Sequence, residues 1–357
     1  MGQHWDDYLR LKAEDPHLFM RDAANALGVS EGALLLDAPE SVYLGRDFAA
    51  ILERLRGVGP VLCLVRNDHA VFEKIATVEK ITLMGRFGLS VNVGGFDVRM
   101  FTDRWKHALA FTSRTHGRLS RSIQFFDAYG LALQKIFLRD EGRLALWEDI
   151  LRDFGHEKNF AFRTGFVRAY PKDEDFSAAQ KAEFQQDWLD LQDIHHFNGI
   201  LETYGISRRK AFSLAPAGYA FRLPPEVVEK TYLLASGDDT PIMSFVGNRG
   251  IVQIQTGKIH HPQRAQGWFN IFDREETGFT LHLDDRAIHE VWMACRPTKD
   301  SIVTCLEALD EEGDIILTLF GQRQEGERER AGWRRIVASA TGKTVPDDAE
   351  NAGGSAA

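Results

Sequence analysis

The 357-residue chain has little cysteine, no long apolar run and no surplus of positive charge, and each absence narrows what it can be. Its three cysteines, Cys63, Cys295 and Cys305, lie far apart and never in C-x-x-C spacing. A sparse, odd set fits a reducing compartment rather than a disulfide framework. No apolar stretch approaches the roughly 20 residues that a membrane crossing requires. Residues 1–7 also lack the basic and apolar regions of a signal peptide, so a cytoplasmic location is expected. Acidic residues outnumber basic ones, for a net charge of −9, which argues against a nucleic-acid protein, since phosphate partners demand a basic face. No G-x-S-x-G, Walker A, G-x-G-x-x-G, H-x-x-x-H or H-E-x-x-H pattern is present. Gly85-Arg86-Phe87-Gly88 and Gly94-Gly95 read as turns, not as nucleotide loops.

What is present is a chain too long for one hydrophobic core, so two domains or two fused halves are expected. Residues 5–57 read as helical, with Gly28-Val29-Ser30 as a corner between helices and Ser30-Glu31-Gly32-Ala33 as a helix start. From Pro60 the period changes to two. Val61–Val65, Ile81–Met84, Leu89–Val93, Val98–Phe101, Ala108–Thr112, Ser122–Phe126 and Leu133–Leu138 are short segments divided by Gly, Asn and Asp. That is hairpin spacing, hence an antiparallel sheet. Residues 141–155 and 177–213 return to helix, and Pro224-Pro225 opens another. Strands resume at Met243–Val246 and run through Leu317–Phe320. The class is α+β.

The chain also says one thing twice. Phe96, Asp127, Gly130 and Phe137 match Phe279, Asp310, Gly313 and Phe320 at a displacement of 183. Asn67 and Val71 match Asn248 and Val252 at 181, and Gly28-Val29-Ser30 matches Gly205-Ile206-Ser207 at 177. A drifting displacement is what loop insertions leave after a duplication. The expected division is an N-terminal repeat over residues 1–175, a C-terminal repeat over 176–340, each of helices followed by an antiparallel sheet, and a flexible tail over 341–357. A cleft between two such halves is a natural ligand site.

Two histidine pairs stand out. His260-His261 reads as a solvated loop before Pro262. His195-His196 falls in a helical reading, with His195 four residues after Leu191 and on its face. A structural histidine is the plain account. A zinc ligand needs partners at recognisable spacing, and a general base needs a nucleophile or acid that sequence does not reveal. A lone axial ligand to heme iron needs one imidazole, an apolar slot and cations for the propionates. Arg208-Arg209-Lys210 follows the pair, and Arg249, Arg296 and Arg323 lie at ends of expected strands. Arg99, on a period-2 strand, shares its face with Asp97 and Phe101.

Several longer stretches carry a resemblance. They are Arg66-Asn67-Asp68-His69-Ala70-Val71-Phe72-Glu73-Lys74, Asp97-Val98-Arg99-Met100-Phe101, Asp193-Ile194-His195-His196-Phe197, Gly247-Asn248-Arg249-Gly250, Gly267-Trp268-Phe269-Asn270, Arg296-Pro297-Thr298 and Phe320-Gly321-Gln322-Arg323. With these, residues 27–337 resemble the bacterial haemin-utilisation or haemin-degrading factor family of HemS-like cytoplasmic heme-binding proteins. The resemblance implies two tandem repeats with stacked central sheets and a heme cleft holding heme b (iron protoporphyrin IX). It makes His195 the axial iron ligand, with His196 as the alternative, sets Arg99 and Phe101 on the opposite heme face, and puts Arg208, Arg296, Phe320 and Arg323 at the pocket wall or the propionates. The chain departs from the family pattern at Arg296, Asn198 and Phe72, where lysine, an aromatic residue and histidine are expected.

The implied function is acceptance of heme after uptake for iron acquisition, with trafficking or assistance to its breakdown. A heme-degrading enzyme with Arg99 as distal residue and an external electron donor is the alternative. A duplicated interaction module without heme is the third reading. Implied partners are heme itself, a heme-uptake ABC transporter, a heme oxygenase or a reductase, with neither nucleic acid nor a membrane span.

Overall fold

The computed structural model describes residues 2–115, 118–324 and 326–346. Two nine-stranded antiparallel sheets form its centre. In the first, the strand order is Ser41–Gly45, His107–Thr115, Arg118–Phe126, Ala132–Leu138, Pro60–Arg66, Ala70–Thr77, Phe279–Leu283, Trp268–Asp273, Pro262–Ala265. In the second it is Ala220–Leu223, Glu290–Pro297, Ile302–Leu309, Ile315–Gly321, Ile242–Gly247, Ile251–Gly257, Val98–Phe101, Phe87–Ser90, Thr82–Met84. Each half therefore builds six strands of one sheet and sends the fourth, fifth and sixth of its nine strands into the other. The repeats are tandem in sequence but interleaved in space.

The duplicated residues explain how the crossing is held. Asn67 donates to Gly247 O and Ile316 O and accepts from the backbone of His69 and Ala70. Asn248 donates to Arg66 O and Leu133 O and accepts from Gly250 N. Each asparagine reaches the loop of the other. The crossing strands obey the same symmetry: Phe101 N donates to Gly250 O at 2.9 Å and Asp284 N to His69 O at 2.8 Å. The helical corners repeat too. Gly28 and Gly205 end helices at φ +67° and +62°, a conformation glycine adopts without a Cβ clash. Ser30 and Ser207 then cap the helices Glu31–Asp37 and Arg208–Leu214 by accepting from Ala33 N and Lys210 N.

Several expectations from sequence are corrected. Ser41–Gly45, Ala70–Thr77 and Ala220–Leu223 are strands that periodicity did not announce. Ala70–Thr77 was hidden by Glu73-Lys74; Lys74 is fully buried, its charge met by Gln255 Oε1 and Thr277 O, both at 2.6 Å. The expected strand Leu89–Val93 lies instead at Phe87–Ser90, and Val91 and Val93 are exposed. Of the tail, Lys343 sits over the Phe221 ring and Val345 packs on the core, while residues 347–357 lie outside the described residues. Among the described residues no helix is long and apolar enough to cross a membrane.

Candidate functional site

Strand register decides which residues of the second sheet share a face. Partners across an antiparallel pair point the same way, and residues two apart on a strand do too. Trp292 pairs with Glu307, Cys305 with Phe320, and Phe320 with Met243. Phe245 pairs with Ile254, Val252 with Arg99, and Phe101 with Phe87. Stepping by twos along these strands puts Arg296, Glu307, Phe320, Met243, Phe245, Arg99 and Phe101 on one face. The Phe245–Phe320 ring contact at 5.2 Å fits that assignment. The opposite face, with Val98, Met100, Val246, Leu317 and Leu319, is buried.

At one end of this face stands a charged group that nothing in the strand pattern alone would place there. Glu307, 1% exposed, accepts from both Arg208 (3.2 Å) and Arg296 through the same oxygen. Burial pushes its carboxyl up, but the two guanidiniums more than offset this and hold it below the usual carboxylate range. Both guanidiniums lie against the buried Phe197 ring, at 5.4 Å for Arg208 and 4.2 Å for Arg296. Arg208 also donates to Asn198 at 2.6 Å, so the polar residue found where an aromatic was expected serves as an acceptor.

Phe197 follows the histidine pair directly. The expected continuous helix is broken here: Ala178–Leu189 ends, and His195 lies in a separate 3₁₀ turn, Ile194–His196, that runs into the helix Phe197–Tyr204. The cause is Asp193, whose side chain accepts from His195 N at 2.8 Å and starts the new turn. Leu191 is buried while His195 and His196 are both exposed, so the shared face inferred from helical spacing does not hold. The segment is tied down over the end of Glu290–Pro297 by Trp188 Nε1 to Cys295 O (2.9 Å) and Lys299 N to Gln192 O (3.1 Å). The residue that closes the histidine turn, Phe197, therefore meets both Arg208 and Arg296.

Arg99 is one-third exposed and bonds the buried Asp97 carboxylate at 2.6 Å; burial lifts that carboxyl despite the arginine. Phe101 packs edge-on against Phe87. Arg323 follows the strand end at Gly321, with Nη1 buried and no acceptor among the described residues. Arg249 stands apart, paired with Asp127 and lying over Phe166 at 4.3 Å. His260-His261 is the loop expected, with both backbone N–H groups on Asp273 and the His261 ring on Glu276. A cleft of about 460 Å³, lined by Arg209, Arg222, His289 and Trp292, opens towards the edge of the face that carries Arg296, and one of about 190 Å³, lined by Phe48, Leu52, Ile81 and Trp105, opens elsewhere. His195 lines neither and is exposed.

Sequence reasoning missed Glu307 and the role of Phe197. The available signal was a lone carboxylate inside the apolar run Ile302–Leu309, whose every residue is buried. Such a group must be paired or neutralised.

Comparison with known proteins gives the family. Over 343 residues the chain is 33% identical to the hemin transport protein HmuS of Yersinia pestis and equally to HemS of Yersinia enterocolitica, covering 96% of this chain and 98% of each. Its structure matches that of holo-PhuS, a heme-binding protein from Pseudomonas aeruginosa, with TM-score 0.87 and 34% identity over 96% of this chain and 99% of that one. The heme-degrading enzyme ChuS of Escherichia coli O157:H7 matches with the same TM-score and coverage at 33% identity. The family model described as "Haemin-degrading HemS.ChuX domain" matches twice, at residues 28–154 and 205–340, one match to each repeat, and the chain belongs to this family.

Proposed function

We propose that this chain binds heme b on the Arg99–Phe320 face with His195 as axial ligand, and that it accepts heme after uptake and passes it on for iron utilisation. The carrying observation is that Phe197, which directly follows the exposed histidine pair, lies against Arg208 and the buried Arg296 at one end of a face that also carries Phe245 and Phe320. The residues fit the group. His195 offers a ring nitrogen that no described residue hydrogen-bonds. Arg296 Nε and Arg323 Nη1 are buried donors without acceptors among the described residues. Phe101, Phe245 and Phe320 provide the apolar surface that a porphyrin ring needs. The relatives named as hemin transport and heme-binding proteins support the same reading.

In this scheme heme supplies the iron chemistry, and the protein supplies position and charge. His195 presents its imidazole from a capped turn, with His196 as the alternative. Arg208, Arg296 and Arg323 neutralise carboxylates that would otherwise be costly to take out of water. Arg99, tethered by Asp97, offers a guanidinium on the far part of the face. A cytoplasmic site of action, and handover to or from a heme-uptake ABC transporter, a heme oxygenase or a reductase, complete the proposal. The test is a hemin titration: a saturable Soret shift is expected, and H195A should change the visible spectrum and speed heme loss. No saturable shift would end the proposal.

The ChuS match favours a second reading, a heme-degrading enzyme fed by an external reductant with Arg99 as the distal residue. Ferric heme on the purified protein, a reductase and catalase decide between them. Turnover to one tetrapyrrole isomer that survives catalase supports degradation, whereas bleaching abolished by catalase leaves the carrier.

A further inference from the structure

We propose that Glu307 is a positioning residue that selects which of the two adjacent imidazoles meets the ligand. This rests on the heme reading above and names the control of its site. The three residues of a 3₁₀ turn point about 120° apart, so His195 and His196 cannot serve one ligand from one orientation of the turn. Something must fix the turn's rotation. Asp193 holds its start through His195 N. Its end is held by Phe197, which continues into the next helix without a break and is 1% exposed.

The Phe197 ring is gripped on its polar side by Arg208 and Arg296 and elsewhere by Trp188 at 4.8 Å and Phe212 at 5.9 Å. Two guanidiniums meeting one ring repel each other. They stay together because one Glu307 oxygen accepts from both, while its other oxygen has no partner among the described residues. Without that charge, Arg208 keeps its bond to Asn198, whereas Arg296, the closer of the two to the ring, has no other acceptor among the described residues and moves off it towards the ligand. Phe197 then loses the contact that sets its rotation, and the histidine turn is free to present His196.

The test compares E307Q with wild type in the full chain, each with and without H195A, using ferric hemin. In wild type, H195A is expected to abolish the axial-imidazole spectrum. In E307Q, H195A is expected to retain part of it, because His196 now reaches the ligand. E307Q alone should release hemin about 10- to 100-fold faster, the usual cost of removing a group that orients a ligand. Circular dichroism and thermal melting of the heme-free protein check that the fold survives. Should E307Q not fold, E307Q/R296M keeps the net charge of the cluster, and the same retained spectrum is expected in its H195A form. Identical H195A spectra in both backgrounds, with unchanged release, overturn the inference and leave the heme reading standing. Failure of wild type to bind hemin at all removes both.

Discussion

Replacing Asn67 or Asn248 by alanine should destabilise the protein by similar amounts, and the two losses should not add. Asn67 makes four hydrogen bonds through its side chain and Asn248 makes three, all to backbone groups: each has one on the opposite loop, one on a neighbouring strand and the rest in its own turn. At about 1 kcal/mol net for each hydrogen bond, the single variants should lose about 3–4 and about 3 kcal/mol. The sites are coupled, because Asn67 grips Gly247, the neighbour of Asn248, and Asn248 grips Arg66, the neighbour of Asn67. Once one grip is lost the other loop is already loosened, so the double variant should fall short of the sum by at least about 0.5 kcal/mol. Urea unfolding followed by both circular dichroism and tryptophan fluorescence measures this. A functional consequence follows: Arg99 sits on a strand anchored at Gly250, so both variants should also weaken hemin binding. A single loss below about 1 kcal/mol, or strict additivity, would refute the interleaved account of the two halves.

Three further outcomes are expected. A Cβ on Gly321 would meet Trp333 at 2.5 Å, so Gly321→Ala should lower stability by about 1–3 kcal/mol, seen as a lower melting temperature. Asp193→Ala removes the cap of the histidine turn, worth about 1 kcal/mol, and should speed hemin release while circular dichroism stays unchanged. Burial lifts the Glu329 carboxyl to about 7, against the pull of Thr304 and Arg334. The fold therefore prefers its protonated form, and the contribution to stability is full below the unfolded value of about 4.3 and lost as pH rises through about 7. Urea midpoints at about pH 5 and about pH 8 should differ in wild type and converge in Glu329→Gln.

Much of this architecture was legible because period-2 segments and capped corners are local signals. Val98–Phe101 and the Gly28 and Gly205 corners needed only their own neighbours. The interleaving was not legible, since the pairing of Val98–Phe101 with Ile251–Gly257 is a contact between distant segments that no local pattern encodes. The site was half legible. Arg99, Arg296 and Phe320 follow from strand phase once the register is known. His195 was assigned to a helix because Leu191 to Phe197 reads as one, and only the side chain of Asp193 bonding back to the backbone breaks it. Glu307 looked like a strand residue among others, because its meaning comes from Arg208, ninety-nine positions away.

The duplication also predicts how many ligands the chain holds. At the displacements that relate the repeats, Arg208 corresponds to Glu31, Arg296 to Ser113, Glu307 to Gln124 and His195 to Leu18, while Phe320 keeps its aromatic counterpart Phe137. The first sheet thus retains the shape of the face but not its chemistry. Glu31 there pairs with Lys135, both largely buried, which reverses the charge order seen around Glu307. An axial imidazole and an excess of guanidinium are both missing from that set, so it has no means of fixing an iron or compensating two propionates. Hemin titration should therefore saturate at one equivalent, and the H195A variant should retain no second high-affinity site. A second equivalent bound with comparable affinity, persisting in H195A, would mean that the first face binds by contacts other than those that distinguish the two repeats.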